Sequence, residues 1–345
     1  MTDKTNKPSK TFQLMLILAS FVIIVAGMKA AEAIVVPFLL SLFIAIIVLP
    51  PFIWLQEKGI PKAISFVTII LSFLLFIFLI GLLISSSVND FLTKLPFYEQ
   101  KLEAQTQEII TWLTEQELIE PDFEISSAFN PGVILKIVGD TFNQVGNLFT
   151  NGFLILLTVI FILLEEVSLP RKIKKMFSDP QKSLSRIQDV TKNINKYIAI
   201  KTVISLVTGL LVYFLLLIVG VDYPLLWAVL AFALNFIPTI GSMIALIPPV
   251  LLTIIQFGFG KALIVLIGYV VINTIMGNIL EPKFMGKGLG LSTLVVFLSL
   301  IFWGWVLGPI GMLLSVPLTI AIKIGLDSSE ETRWLAILLG PENPD

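Results

Sequence analysis

The sequence contains no cysteine and no histidine, and only 14% of its 345 residues are charged. These absences exclude disulfide frameworks, thiol nucleophiles, histidine-ligated metals and histidine general bases. Soluble domains usually carry about 25% charged residues. Since 56% of the residues are hydrophobic and the mean hydropathy is +0.96, we predict an all-α polytopic membrane protein.

Other functional classes also lack their expected signals. The net charge of −1 provides no basic field for nucleic acid. The run Gly286-Lys287-Gly288 has neither the following Ser or Thr nor the preceding strand of a Walker A phosphate loop. We therefore expect no enzyme activity, catalytic residue, metal site or cofactor, and no nucleic-acid partner.

Eight uncharged stretches approach or exceed the roughly 20 residues that cross a bilayer as a helix. They are residues 11–28, 33–56, 63–89, 141–164, 202–221, 223–260, 262–280 and 288–322. The first stretch follows three lysines, and Ala31-Glu32-Ala33 fits a signal-peptide cleavage pattern. A retained first span is the interpretation we adopt, because a multi-spanning protein needs no cleaved signal.

The distribution of lysine and arginine predicts the orientation of the chain. The N-terminal tail, residues 58–62 and residues 165–197 are basic, which places them in the cytoplasm together with the C-terminal tail. Residues 90–140 are rich in acids and should lie outside. Within them, the apolar stripe of residues 97–120 and the cap Asn130-Pro131 predict a small external helical cap.

The basic stretch 171–196 predicts a cytoplasmic amphipathic helix. Its alternative role is binding of anionic lipid. The predicted organisation is therefore: transmembrane segments 1–3 in 1–89, an external cap in 90–140, a fourth span in 141–164, a basic cytoplasmic segment in 165–197, a transmembrane core in 198–326 and a cytoplasmic tail in 327–345.

Two uncharged stretches, 223–260 and 288–322, are too long for one straight crossing. A helix of 35 residues would extend about 50 Å, whereas the hydrocarbon core is about 30 Å thick. Both contain Pro and Gly, and "PTIGSMIALIPPVLLTI" resembles "GPIGMLLSVPLTIAI", with Gly241 and Gly311 in corresponding positions. The similarity is weak, but it indicates an internal repeat.

Each long stretch can be a re-entrant helical hairpin or a single kinked crossing. Hairpins would enter from opposite faces, which is the arrangement of inverted repeats in transporters, and would keep Lys283 and Lys287 cytoplasmic. Kinked crossings would place these two lysines outside. We favour the hairpins.

Broken helices expose backbone polar groups that lipid cannot satisfy, so the breaks predict a polar site near the middle of the membrane. The alternatives are kinks made for packing and ordinary hydrogen bonds between helices. The predicted substrate-path residues are Asn235, Pro238, Thr239, Gly241, Ser242, Pro248, Asn273, Asn278, Glu281, Pro282, Gly286, Pro309, Gly311 and Pro317. We expect charged groups only at the ends of spans, with Lys201 early in the fifth.

Three stretches carry a family resemblance: "LNFIPTIGSMIALIPP", "LLTVIFILLEE" and "GNILEPKFMGKGLGLSTLVVFLSLIFWGWVLGPIGMLLSVPLT". They resemble the autoinducer-2 exporter family over nearly the whole chain. The resemblance implies a bacterial inner-membrane homopentamer that exports autoinducer-2 in quorum sensing, although some relatives are sodium–proton antiporters. The residues matching the family are Asn235, Pro238, Gly241, Pro248, Asn278, Glu281, Pro282 and Gly286.

The sequence leaves three functional hypotheses open. The first is export of a small polar solute, with autoinducer-2 as the cargo implied by the resemblance. The second is a sodium–proton antiporter, whose titrating groups would be Glu281, Glu165, Glu166 and Asp222. The third is a structural or lipid-interacting membrane protein without transport.

Overall fold

A computed structural model describes residues 10–116, 152–166, 172, 175, 180–285 and 290–341. These residues form helices and connecting turns, and no strand occurs among them. The predicted helix that begins at Asn130-Pro131 lies outside the described residues, as do Gly286 and Lys287.

The helices follow one another with short connections. In chain order they are α1 (Lys10–Ala30), α2 (Glu32–Glu57), α3 (Lys62–Glu115), α4 (Gly152–Glu166), α5 (Pro180–Val219), α6 (Pro224–Leu234), α7 (Ile240–Phe257), α8 (Phe259–Asn273), a π-helix (Thr274–Leu280), α9 (Glu281–Met285), α10 (Thr293–Asp327) and α11 (Arg333–Leu338). The chain is therefore a multi-pass helical membrane protein.

Five helical stretches are long and apolar enough to cross a bilayer. They are Glu32–Glu57, Ile187–Val219, Ile240–Phe257, Phe259–Phe284 and Thr293–Asp327. Four shorter apolar helices accompany them, namely Leu18–Ala30, Lys62–Leu75, Gly152–Glu165 and Pro224–Leu234. The count of eight membrane segments stays a prediction.

Two helices are longer than their apolar stretches. Helix α3 continues through the predicted boundary at residue 90 into the amphipathic part of the segment predicted to form an external cap. Helix α5 begins at Pro180 in the basic segment and continues without interruption into the next apolar stretch. Polar residues can continue a helix as readily as apolar residues do. The positions of the charged residues therefore did not reveal that α3 and α5 extend beyond their apolar stretches.

The chain forms two compact units. One comprises Met1–Ala45, Leu154–Pro180 and Gly290–Asp345, and the other comprises Ile46–Phe153 and Gln181–Leu289. In the first unit, Trp303, Val306 and Leu307 of α10 pack with Val25 of α1. In the second, residues of α3, α5, α6, α7 and α8 share an apolar core that includes Phe91, Val212, Trp227, Leu252 and Tyr269.

The long stretch in the second unit folds back on itself. Helix α6 ends at Leu234, residues 235–239 form a turn, and α7 begins at Ile240. The backbone N–H of Asp222, before α6, donates to the Gln256 side-chain oxygen near the end of α7 at 3.1 Å. Since these residues are 34 apart in sequence, both ends of the stretch lie together.

The corresponding stretch in the first unit also reverses direction. Gly308 interrupts α10 with φ 65° and ψ −155°. The Trp303 indole N–H donates to the Thr319 hydroxyl at 3.2 Å, whereas a straight helix would separate residues 16 apart by about 24 Å. Near the two ends of the stretch, the Lys323 ammonium donates to the Gly290 carbonyl oxygen.

Candidate functional site

The turn between α6 and α7 is closely packed around a few small or polar residues. Asn235 and Pro238 are buried there, and Thr239 has the left-handed φ of 61°, which is uncommon for a residue with a side chain. Gly241 lies directly against the backbone carbonyl of Leu234, so any side chain at this position would collide with the preceding helix. The glycine therefore permits the close approach that the turn requires.

A buried polar stripe on α5 faces this turn. Tyr197, Lys201 and Ser205 follow one another at four-residue spacing, which puts them on one face of the helix, and all three are buried. The Asn235 side-chain amide donates to the Ser205 hydroxyl at 2.9 Å. The turn is thus joined to α5 one helical turn from Lys201.

The central feature of the stripe is a buried ion pair. The Lys201 ammonium donates to the Glu281 carboxylate at 2.6 Å, and the side chains are 2% and 16% exposed. A lone buried charge in an apolar environment is strongly disfavoured, so each group neutralises the other. The pair makes a polar but electrically neutral contact between two helices, Ile187–Val219 and Phe259–Phe284, each of which is long and apolar enough to span a membrane.

Glu281 owes its position to an irregular helix. Residues Thr274–Leu280 form a π-helix, and Glu281 follows it directly at the start of α9. Single π-helical turns inside longer helices frequently occur at functional sites. Here the π-helix sets the rotation at which the Glu281 side chain leaves the chain and meets Lys201.

The remaining predicted path residues in this unit are distributed unevenly. Ser242 is half-buried and donates its hydroxyl to the Thr239 carbonyl at 3.3 Å, and Pro248 is buried. Asn273 is half-buried, while Asn278 and Pro282 are exposed. Of the predicted path residues that the structure describes in this unit, Glu281 therefore belongs to the ion pair. Asn235 is joined through Ser205 to the helix that carries Lys201.

The predicted path residues of the other unit lie around the reversal at Gly308. Gly311 and Pro317 are buried and Pro309 is exposed. Gly311 lies against the backbone carbonyl of Trp303, as Gly241 does against that of Leu234. The two glycines paired by sequence comparison thus have the same local role.

The prediction that charged groups lie at the ends of spans, with Lys201 early in the fifth, stays a prediction. Lys201 lies inside the continuous helix α5, directly before the uncharged stretch that begins at residue 202. Tyr197 and Ser205 were not predicted as site residues. Their four-residue spacing around Lys201 is the signal that could have identified them.

A second polar cluster lies at the other end of α5, outside the apolar stretches. The Asp90 carboxylate accepts from the Tyr223 hydroxyl at 2.7 Å and from the Lys94 ammonium at 2.9 Å, and the Tyr98 hydroxyl donates to Asp222 at 3.1 Å. We call these five residues the outer latch, because they join α3 to the beginning of α6. Phe91 packs edge-on against Tyr223 and Trp227 beneath them.

Hydrogen bonds within the outer latch shift the pKa values of its side chains. The hydrogen bond from Lys94, followed by the one from Tyr223, lowers the pKa of the Asp90 carboxyl. The hydrogen bond to Asp90 raises the pKa of Lys94. Desolvation by burial, followed by the hydrogen bond to Asp90, raises the pKa of Tyr223 to about 12.

The sequence is similar to those of known transport proteins over most of its length. Residues 18–331 match the family described as AI-2E family transporter. "AI-2 transport protein TqsA" of Escherichia coli (strain K12) is 38% identical over 333 residues, covering 96% of this chain and 97% of that protein. A Haemophilus influenzae (strain ATCC 51907 / DSM 11121 / KW20 / Rd) protein named "Putative transport protein" is 42% identical over 334 residues, covering 94% of each chain.

A third relative is similar over almost its whole length. "Putative transport protein YhhT" of Escherichia coli (strain K12) is 36% identical over 350 residues, covering 99% of this chain and 98% of that protein. The match to the family spans most of the chain, including both folded-back stretches and the buried ion pair. The chain is a member of the AI-2E transporter family.

Proposed function

We propose that this protein exports a small polar signalling molecule, autoinducer-2, across the bacterial inner membrane. The observation that carries the proposal is the neutral Lys201–Glu281 pair, buried beside the turn of a folded-back apolar stretch. Such polar groups within apolar helices are costly and characteristically mark a solute or ion pathway. The cargo is taken from the relative named AI-2 transport protein TqsA.

In this proposal, the two folded-back stretches are re-entrant hairpins that form part of the solute path. Support comes from the hydrogen bonds that join the ends of each stretch, Asp222 to Gln256 and Lys323 to Gly290. A helix that returns to the face from which it entered leaves a turn inside the membrane. Its backbone groups then require a protein or aqueous environment, which a solute path provides.

The path residues have different proposed roles. Asn235, Thr239, Ser242, Asn273, Asn278 and Glu281 offer hydrogen-bonding groups. Pro238, Gly241, Pro309 and Gly311 lie beside the two breaks and shape them. Pro248, Pro282 and Pro317, which lie inside helices, complete the proposed path together with Gly286. We propose a homopentamer, as implied by the family resemblance, with both chain termini in the cytoplasm. A gradient of the solute or of an ion would supply the energy.

A sodium–proton antiporter is the second candidate, and one observation favours it. Glu281 is a carboxylate that meets a buried ammonium within the second unit, rather than a solvated acid at a chain turn. Intramembrane carboxylates of this kind occur in proton relays. Three other acids are candidates for this role, namely Glu165, Glu166 and Asp222. Glu165 pairs with the exposed Lys172, and Asp222 belongs to the outer latch.

One reconstitution experiment separates the two candidates. Purified protein in liposomes is assayed for autoinducer-2 efflux and, separately, for sodium-driven proton movement with a pH-sensitive dye. The exporter proposal expects solute flux without a dye response. A proton response lost in Glu281→Gln but retained in Glu165→Gln would instead support the antiporter, and neither activity would support a structural role.

A further inference from the structure

Tyr197 has a hydroxyl group that the proposed path leaves unexplained. Its side chain is 3% exposed, and the hydroxyl has no hydrogen-bond partner within the described part of the chain. An unsatisfied buried hydroxyl is unfavourable, so the site is stabilised when an occupant supplies the missing hydrogen bond. The phenol lies on the same face of α5 as Lys201, one helical turn before it, and Lys201 pairs with Glu281.

A second tyrosine provides an internal comparison. Tyr269 on α8 is also buried and also lacks a hydroxyl partner among the described residues. It belongs to the apolar core with Val265 and Trp227. Tyr197 therefore lies one helical turn from a residue of a buried ion pair, whereas Tyr269 lies among apolar side chains. The polar surroundings of Tyr197 point to a ligand rather than to imperfect packing.

We infer that Tyr197, Lys201 and Glu281 form a subsite for a hydroxyl group of a neutral, polyhydroxylated solute. The solute hydroxyl donates to the Glu281 carboxylate and accepts from the Tyr197 hydroxyl or the Lys201 ammonium. This inference rests on the proposed function, because it requires the cargo to reach the turn between α6 and α7. It adds the residues that recognise the cargo and the chemical class that they select.

The charge of the subsite determines which solutes fit. Lys201 and Glu281 neutralise each other, so a neutral solute leaves the buried site neutral. A solute carrying its own charge would add a net charge to a buried environment and lose its hydration there. The subsite therefore selects a polyol over the corresponding sugar acid or amine.

The neighbouring contact between Asn235 and Ser205 offers hydrogen bonds to a second hydroxyl group of the solute. Ser205 lies one helical turn beyond Lys201, about 6 Å along α5, and binds the Asn235 amide. A second hydroxyl of the same solute can exchange hydrogen bonds with this serine–asparagine contact. Polyols should consequently bind more tightly than alcohols with a single hydroxyl group.

The test uses full-length protein in lipid nanodiscs with ribitol as the neutral probe. Binding is measured as the concentration-dependent rise in unfolding temperature, which gives an apparent Kd. We expect Tyr197→Phe to weaken ribitol binding by about 3- to 10-fold, which is the effect of losing one neutral hydrogen bond. Tyr269→Phe, the matched control, should bind ribitol like the wild type.

A charged probe tests selection by charge. Ribonate, which carries a carboxylate in place of one terminal alcohol, should bind at least about tenfold more weakly than ribitol, as expected for introducing an uncompensated charge. Equal affinities for ribitol and ribonate would overturn the inference. So would a ribitol Kd in Tyr197→Phe equal to that of the wild type, or no binding of ribitol to the wild type.

Two further measurements show whether the subsite, the proposed cargo or both are rejected. The unliganded unfolding temperature of Tyr197→Phe should equal or exceed that of the wild type, because the lost hydroxyl has no protein partner. Autoinducer-2 efflux is measured in the same variants. A ribitol subsite without autoinducer-2 efflux would reject the cargo alone, whereas efflux with an unaltered ribitol Kd in Tyr197→Phe would reject the subsite alone.

Discussion

At the scale of single residues, the Lys201–Glu281 pair combines two charges separated by 80 positions in sequence. The sequence identified both residues as charged groups near apolar stretches, but it could not reveal that they meet. Their contact depends on the rotation produced by the π-helix and on the packing of two helices. Tyr197 was missed because it is the last residue of the basic stretch 165–197, where the composition predicts a cytoplasmic segment rather than a site.

Breaking the ion pair should affect stability and transport differently. Lys201→Met leaves the Glu281 carboxylate buried without its partner, which typically costs about 3–5 kcal/mol. The double variant Lys201→Met with Glu281→Leu removes both charges and should recover most of the lost unfolding temperature. If the pair only stabilises the fold, the double variant will also recover autoinducer-2 efflux; we expect efflux to remain absent.

The two matched glycines provide a second residue-scale prediction. A methyl group in Gly311→Ala would collide with the Trp303 backbone carbonyl, and relieving such overpacking costs about 1–3 kcal/mol. Gly325→Ala in the same helix meets no atom within 4 Å and should be neutral or slightly stabilising. Thermal unfolding of both variants provides the test, and equal unfolding temperatures would contradict the close approach at Gly311.

At the scale of helices, the composition predicted the breaks within the two long apolar stretches better than it predicted the helices that continue from apolar into polar sequence. Pro238 and Gly241 beside the turn of 223–260, and Gly308 in 288–322, lie where helices break, because these residue types disturb helical hydrogen bonding directly. Pro248, Pro249 and Pro317 lie inside helices without ending them. Residues 90 and 198, where the composition changes, fall inside α3 and α5, and the predicted division of the chain there stays a prediction. A change from apolar to polar residues indicates that the surroundings of the helix change, but it does not indicate that the helix ends.

The outer latch should respond to acid. Because the folded-state pKa of Asp90 is lowered, its contribution to stability is fully present above the ordinary carboxyl pKa of 3.8. It is lost as the pH falls through the lower folded-state value. We therefore expect the difference in unfolding temperature between wild type and Asp90→Asn to be larger at pH 7 than at pH 3.

The Tyr223 hydroxyl provides a check on that account. Tyr223→Phe removes one hydrogen bond to Asp90 and should reduce the same pH-dependent difference while keeping the aromatic contact with Phe91. Asp327→Asn, which affects an exposed pair with Arg333 at 3.6 Å, is the control. A pH-dependent loss in Asp327→Asn as large as that in Asp90→Asn would show that the effect is not specific to the latch.

At the scale of the whole molecule, the predicted topology has the outer latch outside and Lys283 and Lys287 in the cytoplasm. The chain contains no cysteine, so single cysteines can report sidedness without background labelling. Asp222→Cys should react with an impermeant reagent added from outside, and Lys283→Cys only after the inner face is exposed. Labelling of Lys283→Cys from outside would support the kinked-crossing topology.

Membrane character and family resemblance were predictable because they depend on composition and contiguous motifs. The path itself was only partly predictable, since it depends on contacts between distant segments. In the proposed path, the turn between α6 and α7 opens to water inside the membrane. Ser242 and Met243 differ by one position at the same depth, and Met243 is 61% exposed on the surface of the isolated chain.

The most direct measurement compares single cysteines at these two positions in intact membranes. With a charged, water-soluble thiol reagent, Ser242→Cys should react, and saturating autoinducer-2 should slow its reaction. Met243→Cys, which we expect to face lipid, should react much more slowly in either condition. Failure of Ser242→Cys to react, or equal reaction of both cysteines without protection by autoinducer-2, would contradict a solute path at this turn.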